Sequence, residues 1–164
     1  MRLRLIAVGR MKAGPERDLV VRYQARAEAL GRVLGVSAVE YIEVAESRAR
    51  READRRVEEA ATILERAGAS ALVSFDERGR SLTSERFAEH VASWRDAGHP
   101  ALSFALGGPD GLDEQVRRRS KLVVAFGTLT LPHQLVRVLA MEQVYRALTI
   151  LAGHPYHRGD GDEP

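Results

Sequence analysis

The chain has 164 residues, of which 45% are hydrophobic and 29% charged, enough to build a buried core and unlike a disordered or fibrous composition. It has no cysteine, which removes disulfides, thiolate nucleophiles and cysteine zinc sites together. The net charge is +2, but Asp160, Asp162 and Glu163 crowd the last six residues, leaving 25 basic against 20 acidic side chains in residues 1–158.

Only Lys12 and Lys121 are lysines, so 23 of the 25 basic residues are arginine. Arginine binds phosphate in bidentate fashion and stacks on bases, which permits a nucleic-acid partner. A codon bias toward Arg and Ala gives the same composition. No stretch reaches the roughly 20 apolar residues of a membrane span. The opening run Leu3–Val8 is shorter than a signal-peptide core of about 7–15 residues, and no small-residue cleavage site follows it. The expectation is a cytoplasmic protein without a membrane partner.

Leu3 to Val8 reads as a first strand ending at Gly9. Gly14-Pro15 opens a helix whose apolar stripe is Leu19, Tyr23, Ala27 and Leu30. Val36 to Val44 is a second strand. A second helix follows, with Ala49, Ala53, Val57, Ala60, Leu64 and Ala67 on one face. Arg48, Arg51, Arg55 and Arg56 lie off that stripe, on a solvated face or an RNA-facing patch. Ala71 to Phe75 is a third strand. Thr83 caps the next helix, with Leu82 and Phe87 placed as a hydrophobic staple, and that helix stops near Gly98.

Ala101 to Leu106 is a fourth strand, running into Gly107-Gly108-Pro109-Asp110-Gly111. A short arginine-rich helical segment precedes a fifth strand, Leu122 to Phe126. Gly127 to Leu131 form a loop, with Thr130 or Leu131 as the cap and Pro132 in the first turn of a last helix, His133 to Leu151. Strands alternating with helices predict an α/β fold, a mostly parallel sheet with helices on both faces. One domain is expected over residues 1–158, with 159–164 a disordered acidic tail.

Ligands of such sheets sit beyond the carboxyl ends of the strands, which singles out the loops after the third, fourth and fifth strands. The glycine run matches neither the dinucleotide pattern nor a P-loop; it is a turn, or a place where backbone meets a ligand. The loop 127–132 has backbone groups free to hold a ligand, or is an ordinary connection. The last helix is apolar around its circumference, with Arg137, Glu142, Tyr145 and Arg146 among the apolar residues. It suits burial between the sheet and a second subunit, or the centre of a monomer. His154-Pro155-Tyr156-His157-Arg158 is the densest polar cluster. With His133 it offers a loose metal set lacking an acidic second shell; otherwise it is a surface tail or a base-stacking and phosphate contact.

At these segments the chain resembles the RlmH family of ribosomal large subunit pseudouridine methyltransferases, within the SPOUT superfamily. The resemblance rests on Leu3-Arg4-Leu5-Ile6-Ala7-Val8-Gly9, Leu106–Gly111, Leu129–Val138, Tyr145-Arg146-Ala147 and His154–Arg158. It implies a SPOUT-type fold with a C-terminal trefoil knot, a homodimer, and S-adenosyl-L-methionine as cofactor. The implied substrate is N3 of a pseudouridine in large-subunit rRNA on the assembled ribosome, with no metal. The implied cofactor contacts are Phe75, Gly107, Gly108, Pro109, Gly127, Thr128, Leu129, Thr130, Leu131 and Pro132. Tyr156, His157 and Arg158 match a tail that handles substrate. Family members end soon after that arginine, so Gly159–Pro164 is a departure, as is the arginine-rich second helix.

The N3 proton has to leave, and His133 and His157 suit that transfer near neutral pH, with loss to water the alternative. Arg146 and Arg158 suit RNA phosphates or a deprotonated base. A non-enzymatic RNA-binding module and a SPOUT methyltransferase acting on another RNA base are the competing readings.

Overall fold

The structure is a computed structural model that describes residues 1–158. The expected acidic tail, 159–164, lies outside the described residues. Five parallel strands form one sheet in the order β2-β1-β4-β3-β5: β1 Arg2–Val8, β2 Ala38–Val44, β3 Ala71–Arg80, β4 Ala101–Leu106 and β5 Leu122–Val124. The helices are α1 Pro15–Gly31, α2 Glu52–Ala67, α3 Ser84–Asp96, α4 Glu114–Arg119 and α5 His133–Leu151. The expected α/β class is therefore met.

Alternation along the strands divides the core. Leu3, Leu5 and Ala7 of β1 join Val73 and Phe75 of β3 and Leu102, Phe104 and Leu106 of β4 in a cluster with α1, α3 and α5. Ile6 and Val8 of β1, Leu72 of β3 and Ala105 of β4 face the other way, toward Ala60 and Ile63 of α2 and Val116 of α4. The central strands are buried on both sides, which is why they read as apolar runs and not as alternating ones.

Several boundaries differ from expectation; β1 begins at Arg2 and β2 at Ala38, and four others bear on the site. β3 continues past Phe75 to Arg80, with an irregularity after which Arg80 pairs with Val124. Gly79 makes this possible, because a Cβ there would sit 2.6 Å from the Val124 carbonyl carbon. β5 stops at Val124, and the Ala125 amide turns to donate to the Arg80 carbonyl at 3.1 Å. α2 begins at Glu52, so Ala49 precedes it, and Val57 of the expected stripe is exposed. Pro132 is the cap residue of α5 and not part of its first turn; its carbonyl accepts from the Val136 amide at 3.1 Å. The Thr83 cap is as expected, its hydroxyl accepting from the Arg86 amide at 3.3 Å.

α5 packs against α1 and α3 and reaches β1, so most of its apolar circumference is used within the chain. Leu135 and Leu139, 43% and 37% exposed, are the exceptions. No helix among the described residues is long and apolar enough to cross a membrane.

Candidate functional site

The stretch of β3 from Phe75 to Arg78 and the loops after β4 and β5 converge on one cleft of about 390 Å³. Of the expected cofactor contacts, Phe75, Gly107, Gly108, Pro109, Gly127, Leu129, Thr130 and Leu131 line it, whereas Thr128 and Pro132 do not. Phe75 stacks on Phe126 with ring centroids 4.8 Å apart, giving the cleft an aromatic wall.

The glycine run forms a tight turn in which the Gly111 amide donates to the Gly108 carbonyl at 3.0 Å, with Pro109 at the second position. Gly111 has a φ of +79°, open to glycine and strained for other residues. Gly107 is required by proximity, since a Cβ there would lie 2.5 Å from the Gly111 carbonyl carbon. At Gly108 a Cβ would point inward, 3.0 Å from Val8 Cγ1 and 3.5 Å from Glu59 Oε2, and not toward a ligand.

Two arginines lock these loops, and sequence reading gave neither that role. The Arg55 Nε and Nη2 donate to the two oxygens of Asp110 at 2.6 and 3.1 Å. The guanidinium holds the Asp110 carboxyl below its usual range. Arg117, from α4, pairs with Asp76 at 3.3 Å and Glu114 at 2.8 Å and donates to the Leu112 carbonyl. Arg117 thus joins the middle of β3 to the residue that follows the glycine turn. Asp76, Glu77, Arg78, Arg56 and Val136 also line the cleft. The usable signal for Asp76 was its place just after Phe75, at the carboxyl end of the expected third strand.

Behind the turn, Glu59 is 5% exposed; its Oε1 accepts from the Ser47 amide at 2.9 Å, while Oε2 has no partner among the described residues. Burial pushes its carboxyl upward, opposed by the Ser47 amide and reinforced by the charges of Asp110 and Glu46. Arg137 is 1% exposed, and its guanidinium donates to the carbonyls of Val8 and Gly9 and to the Tyr41 hydroxyl. It bolts α5 to the carboxyl end of β1.

The expected catalytic set divides. His133, the first residue of α5, lines the cleft. Arg146, Tyr156 and His157 do not, and the side chain of Arg158 lies outside the described ones. The turn Pro155–Arg158 folds onto α5, where the Tyr156 hydroxyl donates to Glu142 at 3.1 Å and its ring meets Tyr145 at 4.8 Å. The Arg146 guanidinium carbon lies 4.9 Å from the centre of the Tyr156 ring and pairs with Glu142 at 2.6 Å. His157 Nε2 is 2.9 Å from the Glu85 carboxylate at the start of α3. Burial, then hydrogen bonding with Tyr23 and the Glu142 charge, pushes the Tyr156 phenol far above its ordinary value. At neutral pH it is a donor and a stacking surface, not a base. No group of three metal-ligating side chains occurs among the described residues.

A family model described as "Predicted SPOUT methyltransferase" matches residues 1–157. A protein of Methylorubrum populi named ribosomal RNA large subunit methyltransferase H is 62% identical over 162 residues, covering 98% of each chain. One of the same name from Nitrobacter winogradskyi is 54% identical over 160 residues, covering 97% of this chain and all of the other. Among solved structures, a tRNA methyltransferase of Aquifex aeolicus superposes with a TM-score of 0.53 at 14% identity, covering 100% of this chain and 74% of that one; this likeness bears on the fold alone. With the model match spanning nearly the whole chain and the relatives above half identity, this chain belongs to the SPOUT methyltransferase family.

Proposed function

We propose that this protein transfers a methyl group from S-adenosyl-L-methionine to N3 of a pseudouridine in large-subunit ribosomal RNA. It acts on the assembled ribosome in the cytoplasm, as a homodimer of a single domain spanning residues 1–158, with the family's trefoil knot in its C-terminal part. The observation that carries this reading is the convergence of Phe75–Arg78 of β3 and the loops after β4 and β5 on one cleft, in a chain 62% identical to a methyltransferase named for ribosomal RNA.

The cleft suits the cofactor. Its volume of about 390 Å³ falls in the usual range for ligand pockets, about 300–1,000 Å³. Phe75, Leu106, Leu129, Leu131 and Val136 offer apolar surface, and the Gly107–Gly111 turn offers backbone, with the Glu77 carboxylate for a cationic ligand. Gly107, Gly108 and Pro109 on one side and Gly127, Leu129, Thr130 and Leu131 on the other would hold it, with Phe75 as the apolar contact. When bound, its sulfonium supplies a methyl group already activated for transfer.

The chain's own work is then to orient the acceptor base and remove its proton. His133 is the only histidine among the cleft-lining residues and is the acceptor we assign to the N3 proton. Tyr156 stacks on or donates to the substrate, and Arg146 and Arg158 hold phosphate. Arg146 of α5 and Tyr156 of the C-terminal turn do not line the cleft of their own chain, so a second copy is assigned to bring its α5 end and C-terminal turn there. Exposed Leu135 and Leu139, on the turns of α5 that follow His133, support that face as the dimer contact.

The test is methyl transfer from labelled cofactor to ribosomes, free subunits and naked rRNA, followed by mapping of the modified base. Methylation of one pseudouridine on ribosomes is expected. Tight cofactor binding without transfer to any of the three would overturn the reading.

A further inference from the structure

Arg55 does more than hold the glycine turn. Two of its nitrogens grip Asp110, and the third, Nη1, donates to the carbonyls of Ala49 and Arg50 at 3.2 and 3.1 Å. One planar guanidinium thus clasps the segment before α2 to the turn that borders the cleft. That segment carries Arg48, Arg50 and Arg51 on its exposed side.

The nearby carboxylates leave these three cations largely free. Arg48 and Arg50 have no carboxylate within 4.0 Å among the described residues, and Arg51 has only the solvent-exposed Asp54 at 3.9 Å. Glu52 is taken by Arg56, which itself lines the cleft. Glu58 is engaged by the Ser47 hydroxyl. The Glu46 carboxylate turns over Gly9, near the Arg137 guanidinium.

We infer that Arg48, Arg50 and Arg51 form a phosphate-backbone contact for the RNA substrate, held at the mouth of the cleft by Arg55 as a positioning residue. The inference rests on the proposed action on ribosomal RNA. Its physical logic is that a clasped segment presents its cations at a fixed distance from the reacting site. Phosphate contacts there set the register of the RNA without reading its sequence. Free arginines on a loose loop would attract RNA but not align it.

The full-length protein carrying Arg48→Gln, Arg50→Gln and Arg51→Gln together tests the contact. A second variant, Arg17→Gln, Arg22→Gln and Arg26→Gln, removes the same charge from exposed positions of α1, a helix packed on the opposite face of the sheet from α2. Binding of a large-subunit rRNA fragment is measured against salt for both, independent of methyl transfer. The first variant is expected to lower the slope of log K against log salt by about 2–3, at roughly 0.7–0.9 for each phosphate no longer neutralised. Its KM for RNA should rise about tenfold or more with kcat and cofactor affinity retained; the α1 variant should change neither slope nor KM. Equal weakening in both variants, or none in the first, overturns the contact.

For the clasp, Arg55→Lys keeps the charge but cannot span Asp110 and both carbonyls. It should raise the KM for RNA and weaken cofactor binding while the unfolding temperature stays near that of the parent. A fully active Arg55→Lys protein overturns the positioning role. A parent protein that binds the rRNA fragment with this salt slope but transfers no methyl group refutes the proposed activity and leaves the contact standing.

Discussion

Individual side chains around the cleft are fixed by burial and by close backbone approach, and each has a measurable consequence. Glu59 is nearly sealed beneath Gly108, with one oxygen unsatisfied, so its charged form is disfavoured in the folded state. A carboxyl whose folded pKa is raised stabilises the fold below its unfolded pKa, about 4.3, and loses that contribution as pH rises through the folded value. Glu59→Gln removes the titration. Its melting temperature should gain on the parent as pH increases from about 4 toward neutral; parallel melting curves over that range would refute the assignment. Gly107 and Gly111 separate two kinds of glycine requirement. Gly107→Ala drives a methyl group into the Gly111 carbonyl and should open the turn, lowering cofactor affinity tenfold or more by calorimetry. Gly111→Ala meets open space and should cost only the positive-φ penalty, about 1–2 kcal/mol of stability.

Among the elements, α5 does most to assemble the site. It begins at the cleft with His133, is anchored one turn later by Arg137, and receives the C-terminal turn near its end. Arg137→Met would leave the Val8 and Gly9 carbonyls and the Tyr41 hydroxyl without this donor in a dry site. A loss of about 3 kcal/mol or more is expected, or roughly 6–12 °C in Tm for a chain of this size. A change below 1 kcal/mol in a denaturant titration would mean that other groups satisfy those carbonyls. The β3–β5 pair shows how an element's length escapes sequence reading. The polar run Asp76 to Arg80 carries no strand pattern, and its extended form comes from pairing with Val124 and from the absence of a side chain at Gly79.

At the scale of the whole molecule, the roles proposed for the C-terminal turn and for a second subunit each have a direct test. Truncation after Gly153 should abolish methyl transfer and reduce cofactor affinity only modestly, because the cleft is lined by other residues. Tyr156 packs on the core and meets Tyr145, so the same truncation should cost about 0.5–1.5 kcal/mol of stability by thermal melting. Full activity of the truncated protein on ribosomes would remove the tail from the mechanism. Deleting only residues 159–164 takes away three carboxylates and no base, and should tighten rRNA binding at low salt. Analytical ultracentrifugation at micromolar concentration should find two chains per particle; a monomer would count against a cleft completed by a partner's tail.

The order of strands and helices, the parallel sheet and the loops after β4 and β5 were legible in the sequence, because apolar runs bounded by Gly and Pro reflect local burial and local turn geometry. The Gly107–Gly111 turn and the Thr83 cap were legible for the same reason: their hydrogen bonds close within four residues. The clasp of Arg55 on Asp110 and the bolt of Arg137 on Val8 and Gly9 were not. Their partners lie 55 and 128–129 residues away, and an arginine carries no mark of which distant carbonyl or carboxylate it will meet. Tertiary structure also separated His133 from His157, two imidazoles that composition treats alike, by putting one in the cleft and the other against Glu85. Sequence determined which segments could form; the sheet order, by bringing the ends of β3, β4 and β5 side by side, decided which side chains share one space.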